Sequence, residues 1–270
     1  VSASLAALDA AIPPGAAKRL ARPSWVASVV GIASVLVAWH LAAVTVFADS
    51  RGVPTPIGVL RQMGDDGLHF YMTNAGATLS AAAKGWVWGN LLAIALALLV
   101  LISPVIEKPL LQIGIASYCL PVVAIGPVFA LVFDGETPKV ILAAMSVFFT
   151  TLVGALLGLR SADKSSLDLV HAYGGGSLKK LTKVRIRASL PALFAALRIA
   201  APAAILGAII GEYLGAEKGL GVTMINSQQA FEVARTWAIA LTATAVAGVG
   251  YGLTALVGRL LTPWAPRGAR

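Results

Sequence analysis

A chain of 270 residues with one cysteine, three histidines and twelve acidic side chains has little to offer redox, metal or acid-base chemistry. Cys119 stands alone, which excludes a disulfide framework and a thiolate metal site. His40, His69 and His171 include no pair at the helical spacing of a metal motif, so no metal site is expected. An intramembrane enzyme would need a nucleophile converging on a base, or a metal cluster, and the scattered acids supply neither. Charge of either sign is scarce, at 12% of residues, while 58% are hydrophobic. That balance excludes an ordinary soluble globule, because a chain this short leaves too much surface facing water to hide so many apolar side chains.

Long apolar runs are what the chain has instead. Six segments, at about 26–47, 79–102, 110–133, 139–159, 192–214 and 236–261, match the roughly 20 residues a helix needs to cross hydrocarbon. They lack period-two alternation and are rich in Ala and Leu, which favours helices over a transmembrane barrel. The expected fold class is an all-α membrane protein with about six transmembrane helices. The first run follows Lys18, Arg19 and Arg22 and precedes Val46-Phe47-Ala48, as a secretion signal would. Its core of about 22 residues exceeds the usual signal length of about 7 to 15, so it is read as a retained anchor.

The chain divides into a leader over 1–24, the anchor over 25–48, an outer connection over 49–77, a membrane domain over 78–262 and a tail over 263–270. In the outer connection, Val53-Pro54-Thr55-Pro56 cannot continue a helix and marks the exit from the anchor. The segment after it is weakly amphipathic and suits the membrane surface. In the third run Pro121 and Pro127 each remove a backbone donor, which predicts a bend or break, either as a packing kink or as the lining of a path.

With the N-terminus inside, fifteen basic residues fall on the inner face: Lys18, Arg19, Arg22, Lys108, Arg160, Lys164, Lys179, Lys180, Lys183, Arg185, Arg187, Arg198, Arg259, Arg267 and Arg270. Six fall outside: Arg51, Arg61, Lys84, Lys139, Lys218 and Arg235. The positive-inside rule therefore predicts both termini and the 160–190 loop in the cytoplasm. A basic face beside anionic lipid accounts for the net charge of +9, and no nucleic acid is needed as partner.

That loop contains the one stretch suggestive of a phosphate cradle, Gly174-Gly175-Gly176-Ser177-Leu178-Lys179-Lys180. A Walker loop needs glycine directly before its lysine and a hydroxyl directly after; here Ser177 and Leu178 intervene, and the pattern fails. If ATP powers this protein, another chain binds it. The loop does predict two short helices meeting at a glycine hinge. One is capped by Ser165 or Ser166, carries Asp168 and is ended by Gly174; the other has Leu178, Leu181 and Val184 on one face.

The loop resembles the EAA motif of permease subunits in binding-protein-dependent ABC importers, E-A-A-x-x-x-G followed by I-x-L-P. Asp168 stands at the acid, Leu169 and Val170 at the alanines and Gly174 at the glycine, with Gly175 and Gly176 after it. Val184 and Ile186 take the aliphatic positions, Arg187 replaces the expected proline, and Pro191 closes the following Ala-Ser-Leu-Pro. Stretches similar to the nitrate, sulfonate and taurine branch recur in family order. They are Pro54-Thr55-Pro56, Thr78 to Trp86, Leu159 to Asp163 and Gly211 to Gly221, with Ala81 where that branch has arginine and Lys84 one turn later.

The resemblance implies a type I ABC importer permease (MetI-like) fold in a bacterial inner membrane, with 78–262 as the permease domain and 160–190 as the loop seating in a cytoplasmic ATPase. It further implies two ATPase copies holding ATP and Mg, no cofactor on this chain, a periplasmic or lipid-anchored binding protein, and a second permease copy in a homodimer. Small anions such as sulfonates, nitrate or taurine are the expected solutes; a pyrimidine, thiamine precursor or riboflavin-like solute is the alternative. An ion-coupled secondary transporter, the rival of another class, would place several ionisable groups or broken helices at mid-membrane.

Glu212 is the acid inside an apolar run. It is expected either to pair with Lys84 across two spans or to reach the outer interface. Ser117, Tyr118 and Thr150 are candidate pathway residues, with Asn226, Gln228 and Gln229 at the outer mouth, although polar groups in spans more often join helix to helix.

Overall fold

The computed structural model describes residues 24–49 and 52–265, so the proposed leader before Ser24, Arg51 and the end of the tail lie outside the described residues. The described residues form helices and no strand. They divide into two units, 1–58 and 59–270.

The first unit contains α1, Ser24–Val44, whose stretch Val26–Val44 has a mean hydropathy of 2.0. The Trp39 indole donates to the Pro54 carbonyl at 3.1 Å, which holds the proline-bearing exit against the end of the helix. The Thr55 hydroxyl then accepts from Gly58 N at 3.1 Å and Pro56 takes the first helical position. The prolines that end one run thus start α2, Pro56–Asp66, for a proline's missing donor costs nothing in a first turn.

The second unit is built on three long helices: α3, Leu68–Ile102; α6, Thr137–Arg160; and α9, Ile186–Glu212. Each carries two glycines four apart: Gly85 and Gly89, Gly154 and Gly158, Gly207 and Gly211. A methyl added at Gly207 would stand 2.7 Å from the Leu142 carbonyl oxygen, and one at Gly211 2.7 Å from Lys139 Cα. Spans that gain no hydrophobic drive from lipid associate through such close backbone approach. α6 is the centre of the unit, with α3 on one side and α9 on another. Asn90 and Thr151 join α3 to α6 in the interior, the threonine hydroxyl donating at 2.5 Å.

The expected third span is broken, at Pro121 and not at Pro127. α4, Glu107–Cys119, stops at Leu120, and α5, Val122–Val132, leaves at 94° to the helix before it. Pro121 makes this break, while Pro127 sits inside α5 without ending it. Among the described residues five helices are long and apolar enough to cross a membrane, and the spans number six if the bent pair counts as one.

The fifth span also departs from expectation. α9 continues a short helix α8, Ser177–Lys180, through one π-helical turn at Leu181–Arg185. Ser177–Glu212 is therefore one 36-residue rod, about 54 Å long at 1.5 Å per residue, against about 30 Å of hydrocarbon. Only one short helix, α7 at Lys164–Ala172, precedes the glycine turn. The expected pair of short helices is one short helix and the projecting end of a long one. α10, Leu220–Gln229, and α11, Val233–Leu261, complete the chain.

Candidate functional site

The segment from Arg160 to Ser177 closes one end of the unit. Its helix is capped by Asp163, not by Ser165 or Ser166: the carboxylate accepts from Ser166 N at 3.3 Å and from the Ser165 hydroxyl. Aspartate in the extended backbone just before a helix reaches the free amides better than a serine already inside the first turn. These two bonds, the hydroxyl's first, hold the Asp163 carboxyl below its ordinary range.

The helix ends as the glycines predict. Gly174 has φ +72°, and its N–H and that of Gly175 return to His171 O and Val170 O at 2.9 and 2.8 Å. A side chain on Gly175 would run into Val170, so this glycine is fixed by close approach. Around this knuckle Leu169, Tyr173 and Leu178 are 59%, 83% and 73% exposed, next to Lys179 and Lys180. Asp168 is exposed and Val170 half-buried. Val184 lies in the π-helical turn, and Ile186 and Pro191 lie in α9, so the expected aliphatic positions belong to the stem and not to the knuckle. Arg160, at the end of α6, pairs with Glu107, and the Ser161 hydroxyl lies 3.2 Å from Ala188 O on the stem.

The opposite end of the rod is a buried polar knot. Glu212 is fully buried and does not reach an interface. Its Oε2 accepts from Thr78 Oγ1 at 3.0 Å and from Gly221 N at 2.7 Å. The same threonine oxygen accepts from Leu220 N at 2.9 Å, and Asn74 Oδ1 accepts from Gly219 N at 3.2 Å. Side chains from α3 and α9 thus supply acceptors to the first amides of α10, where a carboxylate also meets the positive end of the helix dipole. The carboxylate covers the space a Gly219 side chain would fill, and Gly219 has φ +138°.

The expected Lys84–Glu212 pair does not form. Lys84 is bonded to Glu136 at 2.7 Å, with both side chains about half exposed. Thr78, not Lys84, faces Glu212; six residues at about 100° each place the two on different faces of α3. That hydrogen bond from Lys84 holds the Glu136 carboxyl below its ordinary range. Ala81, by contrast, is fully buried, so Lys84 does not occupy the same environment one turn later.

A second cluster joins α2 to α11. Asp66 accepts from Arg235 Nε and Nη2 at 2.8 and 2.6 Å, from the Tyr71 hydroxyl at 2.6 Å and from Gln62 at 2.9 Å. Burial pushes the Asp66 carboxyl up, but these bonds, Arg235 foremost, outweigh it and hold it below 3.8.

The remaining candidates are not gathered into one site. The Ser117 hydroxyl donates to Gly114 O at 2.7 Å, within its own helix. The exposed Tyr118 ring stacks at 5.2 Å on Phe149, next to the half-buried Thr150. Asn226, Gln228 and Gln229 are exposed on the far turns of α10, away from the knot at its start. Sequence reading missed Asn74 and the bond between Thr78 and Glu212, partners 134 residues apart, as well as the Asp66–Arg235 pair.

Residues 89–265 match the family described as binding-protein-dependent transport system inner membrane component. The formylaminopyrimidine transport permease protein ThiX of Halalkalibacterium halodurans is 26% identical over 231 residues, covering 85% of this chain and 92% of the relative. A probable ABC transporter permease protein of Haemophilus influenzae is 31% identical over 206 residues, covering 76% and 83%. The riboflavin transport system permease protein RibX of Chloroflexus aurantiacus is 29% identical over 160 residues, covering 59% and 60%. With a family match across most of a chain whose spans are helical and close-packed, the protein belongs to the binding-protein-dependent inner membrane transport family: it is an ABC importer permease.

Proposed function

We propose that the knuckle formed by Asp168, Leu169, Val170, Gly174, Gly175 and Gly176 is the surface on which an ATPase subunit docks, and that Val184, Ile186 and Pro191 belong to the stem that carries its motion. Permeases of this family work with an ATPase and a substrate-binding protein. The observation that carries the reading is an apolar cluster, Leu169, Tyr173 and Leu178, raised on a capped helix among lysines and held at the end of a 36-residue rod. A partner covering such side chains gains their burial, and the basic rim sets orientation. ATP and Mg reside on the partner, and its closure biases the spans between two states. Lys179, Lys180 and Lys183 serve both the partner and anionic headgroups.

In this reading the knuckle and both termini face the cytoplasm, and the Glu212 end faces outward. Two copies of the chain with two ATPase subunits enclose the path. The solute is a small anion of the sulfonate, nitrate or taurine kind; the formylaminopyrimidine and riboflavin permeases among the relatives favour a heteroaromatic solute as the second reading. Replacing Tyr173 and Leu178 together by serine tests the docking surface. The ATPase should no longer copurify and uptake into proteoliposomes should cease, while the melting temperature of the permease stays unchanged. Full assembly and uptake by that variant would refute the assignment.

A further inference from the structure

A recess of about 580 Å³ lies where the apolar helix α3 ends and the basic stem of the long rod begins. Leu101 and Ile102, the last residues of α3, form one wall, and Leu178, Lys180, Leu181 and Arg185 form the other. Among the described residues no acid lines it. Lys180 and Arg185 are half-buried, and neither the ammonium nor the guanidinium is hydrogen-bonded or ion-paired to a described residue. Ile102 and the nearby Val105 are exposed, so the apolar wall continues onto open surface.

The π-helical turn is what brings both cations to this recess. In a regular α-helix two residues five apart stand about 140° from each other, at about 100° per residue. The turn at Leu181–Arg185 closes instead through a five-residue bond, from Ile186 N–H to Leu181 O, which stacks residues five apart on one side of the rod. Lys180 and Arg185 thereby converge, and π-helical turns of this kind occur mostly at functional sites. Two cations without a counter-charge, facing a wall of leucine and isoleucine, fit a ligand that is anionic at one end and apolar at the other. A free inorganic anion would leave Leu101, Ile102 and Leu181 uncovered. An acidic segment of a soluble partner would have to reach the end of an apolar span, where lipid is the solvent. Leu169 and Tyr173, on which the docking surface relies, are absent from the lining.

We propose that this recess binds one anionic phospholipid, its phosphodiester held by Lys180 and Arg185 and an acyl chain laid along Leu101 and Ile102. Arg185 offers the phosphate a planar fork and Lys180 a point charge, and basic pockets beside spans hold anionic headgroups in this way. The site sharpens the headgroup role given above to Lys180, and it rests on that reading only for the leaflet that supplies the lipid. It is independent of ATPase docking, so it is tested on the permease without its partner. Detergent-purified permease is titrated with phosphatidylglycerol or phosphatidylcholine, with thermal unfolding and native mass spectrometry as readouts. Phosphatidylglycerol should raise the melting temperature saturably and remain bound as one copy per chain; phosphatidylcholine should do neither. Arg185→Gln should raise the half-saturating lipid concentration about tenfold or more, as loss of a charge-assisted bond requires. Adding Thr182→Arg to that variant restores the net charge at an exposed position outside the recess and should not recover binding. Lys218→Gln, far from the recess in the chain, should bind as the unaltered permease does.

Should Arg185→Gln fail to fold, Ile102→Glu decides the matter, because a carboxylate on this exposed wall should repel the headgroup and abolish the response. No saturable response to phosphatidylglycerol overturns the proposal, as does a response retained in Arg185→Gln or in Ile102→Glu, or recovered by Thr182→Arg. An equal response to inorganic phosphate would assign the recess to a free anion and overturn it too. If phosphatidylglycerol has no effect while Arg185→Gln loses the ATPase on copurification, the recess belongs to the partner and the lipid site falls.

Discussion

At its Ser177 end the long rod carries Leu178, 73% exposed among lysines; at its Glu212 end it carries a carboxylate with no exposure at all. The usual distribution of side chains between water and interior is inverted at both places. The exposed end has apolar surface that no described residue covers, whereas at the buried end one carboxylate oxygen, Glu212 Oε2, is bonded to a partner 134 residues away. The first arrangement suits a surface that meets another protein and parts from it. The second suits a joint that must not slip, because each buried amide of α10 loses its acceptor if α3 and α9 separate. Motion delivered at one end can then tilt the rod as a body, with α10 moving together with it.

This contrast predicts large stability effects and small coupling effects at the Glu212 end, and the reverse at the knuckle. Glu212→Ala should cause the largest loss of stability, about 3 kcal/mol or more, since it opens a cavity and strands Gly221 N–H. Thr78→Val should cost about 1–3 kcal/mol by stranding Leu220 N–H, and thermal unfolding of the purified permease measures both. Gly174→Ala forces a side chain into φ +72° at a cost of about 1–2 kcal/mol confined to the turn. It should lower ATP-driven uptake several-fold with little change in melting temperature. A knuckle variant that melts early and still couples would break the comparison.

Asp66 gives a pH test of the cluster that joins α2 to α11. Its carboxyl is held below 3.8, so its stabilising contribution is complete above that value and is lost as pH falls through the lowered folded value. Unfolding measured from pH 7 to pH 5 should not change on this account, and Asp66→Asn should flatten the loss seen below about pH 4. The smallest effect belongs to Lys84→Ala. Its pair with Glu136 is about half exposed, and removing it should cost under about 0.5 kcal/mol.

Much of the fold is legible in the sequence because lipid selects for long apolar runs, and hydropathy reads them directly. The turn at Gly174 and the break at Pro121 are likewise legible, since φ > 0 and a missing amide are local properties. The length of the rod is not. Lys179 to Arg187 is too charged to cross a membrane, yet it continues the helix, for hydropathy reports the solvent around a helix and not its extent. Nor are the partners of Glu212 legible. A buried acid announces that it needs donors, but whether Thr78 or Lys84 supplies them depends on which face of α3 meets α9. Lys139 looked like an ordinary outer-face charge because no local pattern marks a lysine that packing will bury.

The most direct test places single cysteines at Asp168 or Gly174 in a Cys119→Ser background and crosslinks the assembled transporter in membranes. Docking at the knuckle predicts efficient capture of the ATPase subunit from these positions, altered when ATP is bound, and none from a cysteine at Gln229. Capture of no ATPase from either knuckle position, in a transporter that still imports its solute, would contradict it.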